Sequence, residues 1–166
     1  MSDDHLGGRV WRFDHDISTD VLSPGQYAVD PVDVRKRHVL ESVNPSFASD
    51  VRPGDVVVAG RNFGCGSSRE TAAENLKALG VACVVAESFS RIFMRNAVAL
   101  GLPVVVCRGV HDGFSDGDRI EIDLANGRIV NAESEAELYG DSLPSEMRTI
   151  LSAGGILAVL ENQTDR

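Results

Sequence analysis

Residues 56–107 decide the fold, and they read VVVAGRNFGCGSSRETAAENLKALGVACVVAESFSRIFMRNAVALGLPVVVC. This stretch contains three apolar runs that do not alternate with polar residues, at 56–59, 81–86 and 103–107. Uninterrupted apolar runs are typical of strands that lie covered in a parallel sheet. Two segments with helical spacing, 69–79 and 88–100, separate the runs, and each is followed by a glycine. The alternation predicts an α/β fold in which right-handed crossovers join parallel strands.

The flanking residues add a first strand and a β-rich tail. On the amino-terminal side we expect a strand over 8–13, a polar loop over 14–20, a brief extended segment at 21–23 and a helix over 32–42. On the carboxyl-terminal side we expect strands at 118–123 and 128–130, a helix over 145–151 and a closing apolar segment at 156–160. The dipeptide Asn126-Gly127 is a strong hairpin signal, so the two late strands should be antiparallel.

The composition is that of an ordinary globular domain, with 43% hydrophobic and 25% charged residues in a chain of 166. We therefore expect one domain over 1–166, with flexible termini at 1–7 and 162–166. No apolar run approaches the roughly 20 residues that a membrane-spanning helix needs, and the acidic start offers no apolar core for a secretory signal. The sequence predicts a cytoplasmic protein.

Charge and cysteine content argue against several partners and sites. The formal net charge of -9 opposes phosphate backbones and anionic lipid heads, so we expect neither nucleic acid nor membrane as a partner. Three cysteines without a CxxC pair favour reduced thiols over a disulfide framework. They also predict that this chain alone supplies no metal site.

The segment 62–70, NFGCGSSRE, lies between the strand at 56–59 and the helix that follows. In a parallel sheet, ligands bind beyond the carboxyl ends of the strands, where the next helix offers unpaired N–H groups to an anion. Gly64 and Gly66 permit a close backbone approach, and Arg69 provides a planar fork for a carboxylate or phosphate. Two neighbouring serine hydroxyls complete a pattern that indicates an anion-binding loop.

An ordinary helix start is the alternative for the same residues. Ser67 and Glu70 have the spacing of a capping box, in which case Arg69 lies in a solvated first turn. The loop is not a phosphate-binding P-loop, because no Gly-Lys-Ser/Thr follows its glycines. A dinucleotide-binding site is disfavoured, because Arg69 stands where the fingerprint has its third glycine. A hydrolase is also disfavoured, because no glycine follows Ser67 by two residues, as it would in a nucleophile elbow.

Three separated motifs resemble a single family. They are the loop at 62–70, the strand–helix continuation AESFSRIFMRN at 86–96, and the earlier DISTD at 16–20. Together they look like the small subunit of 3-isopropylmalate dehydratase and its homoaconitase relatives, over nearly the whole chain from Gly8 to Leu160. That subunit corresponds to the swivel domain of aconitase. The resemblance therefore implies a three-layer β/β/α domain with a parallel sheet core and additional antiparallel strands.

The resemblance also implies a hydro-lyase that is active only with a larger partner. Enzymes of this family dehydrate a hydroxy-acid to an enoate and rehydrate it at the neighbouring carbon. The large subunit carries a 4Fe-4S cluster, so we expect no cofactor bound by this chain itself. The expected assembly is a heterodimer or a heterotetramer, and the substrate is a small di- or tricarboxylate hydroxy-acid.

The same resemblance implies roles for residues of the loop. Ser67 is the base that removes the proton next to a substrate carboxylate, and Asp20 matches a second acid of the active site. The residues implied to bind the substrate are Cys65, Gly66, Ser68 and Arg69. A serine is too weak an acid to act alone, so it needs the positive field of Arg69 and of helix-terminal N–H groups. Thr71 is a departure, since the family commonly has histidine there.

Substrate choice in this family is associated with a loop shortly after the Thr-Asp pair, which corresponds to 24–31 in this chain. Its candidate specificity residues are Tyr27, Ala28, Val29 and Asp30. Relatives that bind a third carboxylate have an arginine two positions after the tyrosine, where this chain has Val29. An apolar side chain cannot pair with a carboxylate, so we expect an alkyl substituent on the substrate.

The expected reaction is therefore the interconversion of 2-isopropylmalate and 3-isopropylmalate in leucine biosynthesis. Ala28 and Asp30 form an unusual setting for the specificity loop. They leave open another alkylmalate dehydratase, such as one for 2,3-dimethylmalate, or a homoaconitase-type enzyme. The alternative from a different class is a carboxylate-binding regulatory module that keeps the fold without catalysis. The presence of Ser67 and Arg69 favours the enzyme.

Overall fold

The computed structural model describes residues 4–164, and its centre is one mixed β-sheet. The strands in this part of the chain are β1 (His5–Arg12), β2 (Val56–Ala59), β3 (Cys83–Ala86), β4 (Val104–Val106), β5 (Arg119–Asp123), β6 (Arg128–Asn131) and β7 (Glu137–Tyr139). Their order across the sheet is β4-β3-β2-β1-β5-β6-β7. Strands β1 to β4 are parallel, and β5, β6 and β7 are antiparallel to their neighbours. The three apolar runs thus form β2, β3 and β4, as the sequence predicts.

Helices connect the parallel strands, and most of them pack on one face of the sheet. The α-helices of the described residues are α1 (Thr19–Leu22), α2 (Val32–Arg35), α3 (Phe47–Asp50), α4 (Glu70–Ala78), α5 (Arg91–Ala99), α6 (Val110–Gly113), α7 (Ser145–Ala153) and α8 (Ile156–Thr164). Short 3-10 helices lie at Gly25–Tyr27 and Lys36–His38. Within residues 4–164, no helix combines the length and the apolar character needed to cross a membrane.

Two apolar cores lie on opposite faces of the parallel strands. On one face, Val57 packs in a cluster with Leu76 of α4 and Phe93 of α5. On the other face, Val58 belongs to a cluster that includes residues of the antiparallel strands, namely Ile120, Ile122 and Ile129. The sheet therefore curls so that its antiparallel half packs on its parallel half. This arrangement confirms the predicted three-layer β/β/α architecture.

Two predicted segments near the first loop adopt other conformations. Residues 21–23, expected to be extended, lie mostly in α1, which Ser18 caps by accepting the N–H of Val21 at 3.3 Å. The helix expected over 32–42 is α-helical only at Val32–Arg35 and continues as the 3-10 helix Lys36–His38. It cannot extend through Leu40, which takes a positive φ of 60° and donates its N–H to the Val21 carbonyl at 2.9 Å. In both cases a specific hydrogen bond outweighs the local residue pattern.

Other differences lie towards the end of the chain and at its termini. The closing apolar segment at 156–160 is helical and forms the first part of α8. Strand β7 was not predicted, since its three residues are too few and too polar to show a strand pattern. Of the segments expected to be flexible termini, residues 5–7 lie in β1 and residues 162–164 lie in α8. Residues 1–3 and 165–166 lie outside the described residues.

The helix-side core predicts a large difference between two leucines. Leu76 of α4 is fully buried, whereas Leu157 of α8 is 72% exposed. Leu76→Ala should lower the free energy of unfolding by about 2–5 kcal/mol, because it removes buried methyl groups and leaves a cavity. Leu157→Ala, the matched control, should change it by less than about 0.5 kcal/mol. Urea titrations followed by circular dichroism measure both values, and equal losses would contradict the packing described here.

Candidate active site

The two motifs at 16–20 and 62–70 meet at the carboxyl edge of the parallel strands. The first follows β1 and the second follows β2, and these two strands are neighbours in the sheet. Their backbones pair, because the N–H of Thr19 donates to the carbonyl of Cys65 at 2.8 Å. A second hydrogen bond of 2.7 Å joins the N–H of Gly64 to the carbonyl of Ile17. Residues from two distant parts of the sequence thus form one surface.

Both glycines of the second motif are required by the shape of the loop. Gly64 and Gly66 take positive φ angles of 82° and 106°. A Cβ atom on Gly64 would lie 2.4 Å from the side chain of Phe93, which leaves no room for any other residue. A Cβ atom on Gly66 would lie 3.1 Å from Thr19 Oγ1. The close backbone approach expected from these glycines is therefore made, in this chain, to other protein groups.

Ser67 and Ser68 are exposed in the turn before α4. Helix α4 begins at Glu70, and its N-cap residue Arg69 makes no side-chain capping hydrogen bond, so the capping-box alternative is wrong. The Oγ atom of Ser67 instead lies 3.4 Å from Oγ1 of the buried Thr19. The Ser67 hydroxyl is thus held near the amino-terminal end of α4, where the helix dipole favours negative charge.

Arg69 joins the two motifs through its guanidinium group. Its Nη1 lies 2.5 Å from Oδ1 of Asp20 and donates to the carbonyl of Ser23 at 2.8 Å. Within residues 4–164, its Nε and Nη2 form no hydrogen bond. A guanidinium binds a carboxylate through two parallel N–H groups, so this free edge suits a bidentate carboxylate. The structure therefore brings together Asp20 and Arg69, both of which the sequence singled out.

The candidate specificity loop lies next to the free edge of Arg69. A Cβ atom added to Gly25 would be 3.6 Å from Arg69 Nη2. Tyr27 stacks on His38, with ring centroids 3.6 Å apart and an angle of 7° between the ring planes. Val29 is 97% exposed at the tip of the loop. The loop thus approaches the guanidinium through Gly25 and presents an uncharged, solvent-facing valine at its tip rather than a second cation.

The two residues that flank Val29 have different surroundings. Ala28 is exposed, and its N–H donates to the Gly25 carbonyl at 3.1 Å, which closes a turn within the loop. Asp30 is half-buried, and its carbonyl accepts a hydrogen bond of 2.9 Å from Nε of Arg35. Ala28 therefore belongs to the free tip, whereas Asp30 marks the point at which the loop is fastened to the rest of the protein.

Three supporting residues were missed as site residues by sequence reasoning. Thr19 contacts Ser67, and it lies inside the DISTD motif, which was its only signal. Ser23 has its Oγ 2.6 Å from Oγ1 of Thr71, so the Thr71 hydroxyl has a partner in this chain. Arg35 holds the end of the candidate specificity loop. No local pattern reveals it, because its side-chain partners are 39 and 40 residues away.

The cysteines are uncharged thiols rather than reactive thiolates. Cys65 is half-buried in the loop, and burial, followed by the negative charge of Asp16, raises the pKa of its thiol. Burial also raises the pKa of Cys83 far above its ordinary value and that of Cys107 to about 11. All three are free. Among residues 4–164, no group of three or more His, Cys, Asp or Glu side chains is placed to hold a metal ion.

Comparison with known proteins identifies the family. The profile of the aconitase C-terminal domain matches residues 25–108. The 3-isopropylmalate dehydratase small subunit 1 of Methanopyrus kandleri is 50% identical over 165 residues, which cover 98% of this chain and 96% of the relative. The chain belongs to this small-subunit family.

Other members of the family carry names with different substrates. The isopropylmalate/citramalate isomerase small subunit of Methanocaldococcus jannaschii is 43% identical over 95% of each chain. The methanogen homoaconitase small subunit of Methanothermobacter thermautotrophicus is 47% identical over 92% of this chain and 88% of its own. Family membership alone therefore leaves the substrate undecided.

A crystal structure supports the same assignment of fold. The 3-isopropylmalate dehydratase of Methanocaldococcus jannaschii superposes on this chain with a TM-score of 0.90 at 37% sequence identity. The match covers 96% of this chain and 95% of the other. The family members thus share the curled sheet described above over almost their full length.

The raised pKa of Cys65 predicts slow alkylation of this thiol in the folded protein. At pH 8, iodoacetamide should modify Cys65 more slowly than it modifies free cysteine, because burial lowers the thiolate fraction. The rate should increase as the pH is raised further. Peptide mass spectrometry locates the modification, and Cys65→Ser provides the background from the two buried thiols. A rate faster than that of free cysteine would contradict this description of the loop.

Proposed function

We propose that this chain is the small subunit of a two-subunit hydro-lyase that interconverts 2-isopropylmalate and 3-isopropylmalate. One observation carries the proposal: Asp20, Ser67 and Arg69, which come from two separate motifs, converge at the carboxyl edge of the sheet. The free edge of Arg69 supports a carboxylate substrate. The names of several relatives support the reaction itself.

The proposal includes a larger partner, because the site is open to solvent. Ser67, Ser68 and Asp20 are all exposed. Proton removal next to a carboxylate benefits from a water-poor site, which an open edge does not provide. A second protein surface seated on this edge would exclude water, and the words "small subunit" in the relatives' names support such a partner. The assembly is a heterodimer or heterotetramer in the cytoplasm, a reducing compartment that suits free thiols.

The residues of this chain supply substrate binding and proton transfer. The 4Fe-4S cluster of the partner, when bound, supplies a Lewis-acidic iron for the substrate hydroxyl. Arg69 binds a substrate carboxylate through Nε and Nη2, while Asp20 keeps Nη1 and fixes the plane of the guanidinium. Partial neutralisation of that carboxylate makes the neighbouring C–H bond more acidic.

Ser67 then takes the proton from the carbon next to the carboxylate. Its alkoxide is stabilised by the charge of Arg69 and by the amino-terminal end of α4. Thr19, 3.4 Å away, holds the serine oxygen in place, and Ser68 adds a hydroxyl for the substrate. Rehydration reverses these roles, since Ser67 returns the proton.

We propose an alkyl substituent on the substrate, because the specificity loop has no cation at its tip. Val29 occupies that place and is almost fully exposed. Arg35 is the nearest arginine after the loop, but it is buried and uses Nε, Nη1 and Nη2 on protein partners. A third carboxylate would remain unpaired, at a cost of about 2–5 kcal/mol. This difference favours an alkylmalate over the tricarboxylate of a homoaconitase-type enzyme.

Ser67→Ala tests the catalytic assignment. After anaerobic assembly with the large subunit, turnover of 2-isopropylmalate should fall by about 10²–10⁴-fold, the usual contribution of a positioned general base. Folding and assembly should be unchanged, because the hydroxyl is exposed. Ser152→Ala, an exposed serine of α7, is the matched control. Retained turnover would remove Ser67 from the mechanism, and an assembled but inactive wild-type complex would favour the regulatory module.

Val29→Arg tests the choice of substrate. The added guanidinium should pair with a third carboxylate, so the ratio of kcat/KM for homocitrate to that for 2-isopropylmalate should rise by about tenfold or more. Val43→Arg places the same charge at another exposed valine outside the loop and should leave the ratio unchanged. An unchanged ratio in Val29→Arg would defeat the assignment of an alkyl substituent.

A further inference from the structure

Arg35 is a buried cation that the reaction does not use directly. It is the last residue of α2, and it is only 8% exposed. All of its nitrogen donors have partners: Nε donates to the Asp30 carbonyl at 2.9 Å, Nη1 to Asn75 Oδ1 at 2.8 Å, and Nη2 to Glu74 Oε1 at 2.6 Å. Burial of a guanidinium is costly unless each donor is satisfied, so the position demands an explanation.

Asn75 extends this network to α1, the helix that carries Asp20. It is fully buried in α4, and its Oδ1 accepts from Arg35. Its Nδ2 donates to the carbonyl of Leu22 at 3.2 Å. Leu22 ends α1, the short helix that carries Asp20, and it precedes Ser23, whose carbonyl accepts from Arg69. Arg35 and Asn75 thus reach both sides of the specificity loop.

The loop is fastened by hydrogen bonds at its two ends, and between them Tyr27 stacks on His38. The carbonyl of Leu22 marks one end and the carbonyl of Asp30 marks the other. Between them, the N–H groups of Tyr27, Ala28 and Asp30 bond to carbonyls within the loop itself. Asn75, which holds Leu22, lies on α4, and Arg35, which holds Asp30, is joined to α4 through Asn75 and Glu74. Helix α4 begins directly after Ser67–Arg69. The position of the loop relative to the catalytic residues therefore depends on this network.

We propose that Arg35 and Asn75 are positioning residues that set the distance between the specificity loop at 24–31 and the loop at 62–70 that carries Ser67 and Arg69. Both are buried, so they act through Leu22 and Asp30 rather than by touching the substrate. The inference rests on the proposed function, because it assigns this network to the discrimination of substrate substituents. Residues of the loop tip, Ala28 and Val29, contact the substituent of the substrate. Arg35 fixes the position of that tip.

The planar shape of arginine explains why this residue type is needed. Three donors of one rigid group reach three separate acceptors, on the loop and on α4. A lysine keeps the positive charge but concentrates it in one compact ammonium group, which cannot reproduce the fork. Arg35→Lys therefore preserves charge and most of the side-chain volume while it removes the geometry.

Steady-state kinetics of the assembled enzyme give the first test. In Arg35→Lys, KM for 2-isopropylmalate should rise by about tenfold, because the loss of one charged hydrogen bond has about this effect on an equilibrium constant. The value of kcat should stay within about threefold of the wild-type value. The preference for 2-isopropylmalate over citramalate should shrink in the same variant. Arg37→Lys is the matched control, because Arg37 is exposed and makes no hydrogen bond or ion pair within residues 4–164. Unchanged KM and preference, or an equal loss of kcat for both substrates, would overturn the proposal.

Amide hydrogen exchange of the chain alone gives a test that does not need turnover. Arg35→Lys should increase exchange at 24–31 by about tenfold or more and leave β2 and β3 unchanged, because only the loop loses its fastening. Asn75→Asp keeps the acceptor for Arg35 and removes the donor to Leu22. Its amide exchange should therefore increase more at residues 22–25 than at Asp30.

The two measurements separate the failure of each proposal. If Arg35→Lys loosens the loop but the wild-type complex turns over neither 2-isopropylmalate nor citramalate, the proposed function is refuted and the positioning network stands. Turnover by the wild type with no change in loop exchange in either variant would refute the positioning role. Increased exchange throughout β2 and β3 would assign Arg35 to general stability and would also overturn the inference.

Discussion

The contact between Arg69 and Asp20 is the constraint on which the candidate site depends. It joins the loop after β1 to the loop after β2, and the same nitrogen of Arg69 reaches the carbonyl of Ser23. Both side chains are partly exposed, so the ion pair adds little stability, on the order of 0–1 kcal/mol. Its importance is geometric. It fixes the plane of the guanidinium and leaves the edge formed by Nε and Nη2 available to a carboxylate.

The net charge of the whole chain explains why a local positive group such as Arg69 is needed at the site. A net charge of -9 repels a dicarboxylate at long range. The positive groups of the edge, Arg69 and the first N–H groups of α4, act only over short distances in salt solution. Asp20 offsets part of the Arg69 charge, so this chain alone offers a weak site. The proposed partner would add further groups that bind the substrate, among them the Lewis-acidic iron of its cluster.

The sequence was informative where the physical signal is local. Strands β2 to β4 could be predicted because each is an apolar run bounded by turn residues, and the loop at 62–70 could be placed because it lies between a strand and a helix. Prediction failed where a distant contact decides the conformation. The helix expected over 32–42 cannot extend through Leu40, whose N–H donates to the distant carbonyl of Val21. Arg35 has the pattern of a solvated charge on that helix, and its burial depends on Asn75, 40 residues away.

Some residues of the candidate site could be predicted from local sequence, whereas the positions of others depend on distant contacts. Ser67 and Arg69 belong to a recognisable loop, whereas the positions of Asp20 and of the candidate specificity loop depend on contacts with Arg69 and α4. A resemblance to a family suggested that these segments form one site, and the hydrogen bonds of Arg69 and Asn75 join them physically.

The role of Arg69 can be tested by a structure of the anaerobic two-subunit complex with bound 3-isopropylmalate. We expect a substrate carboxylate to accept parallel hydrogen bonds from Nε and Nη2 of Arg69 while Asp20 remains on Nη1. We also expect Ser67 Oγ to face the C–H bond next to that carboxylate. A substrate carboxylate bound away from Arg69, or an Arg69 with protein partners on both edges of its guanidinium, would contradict the proposed binding mode.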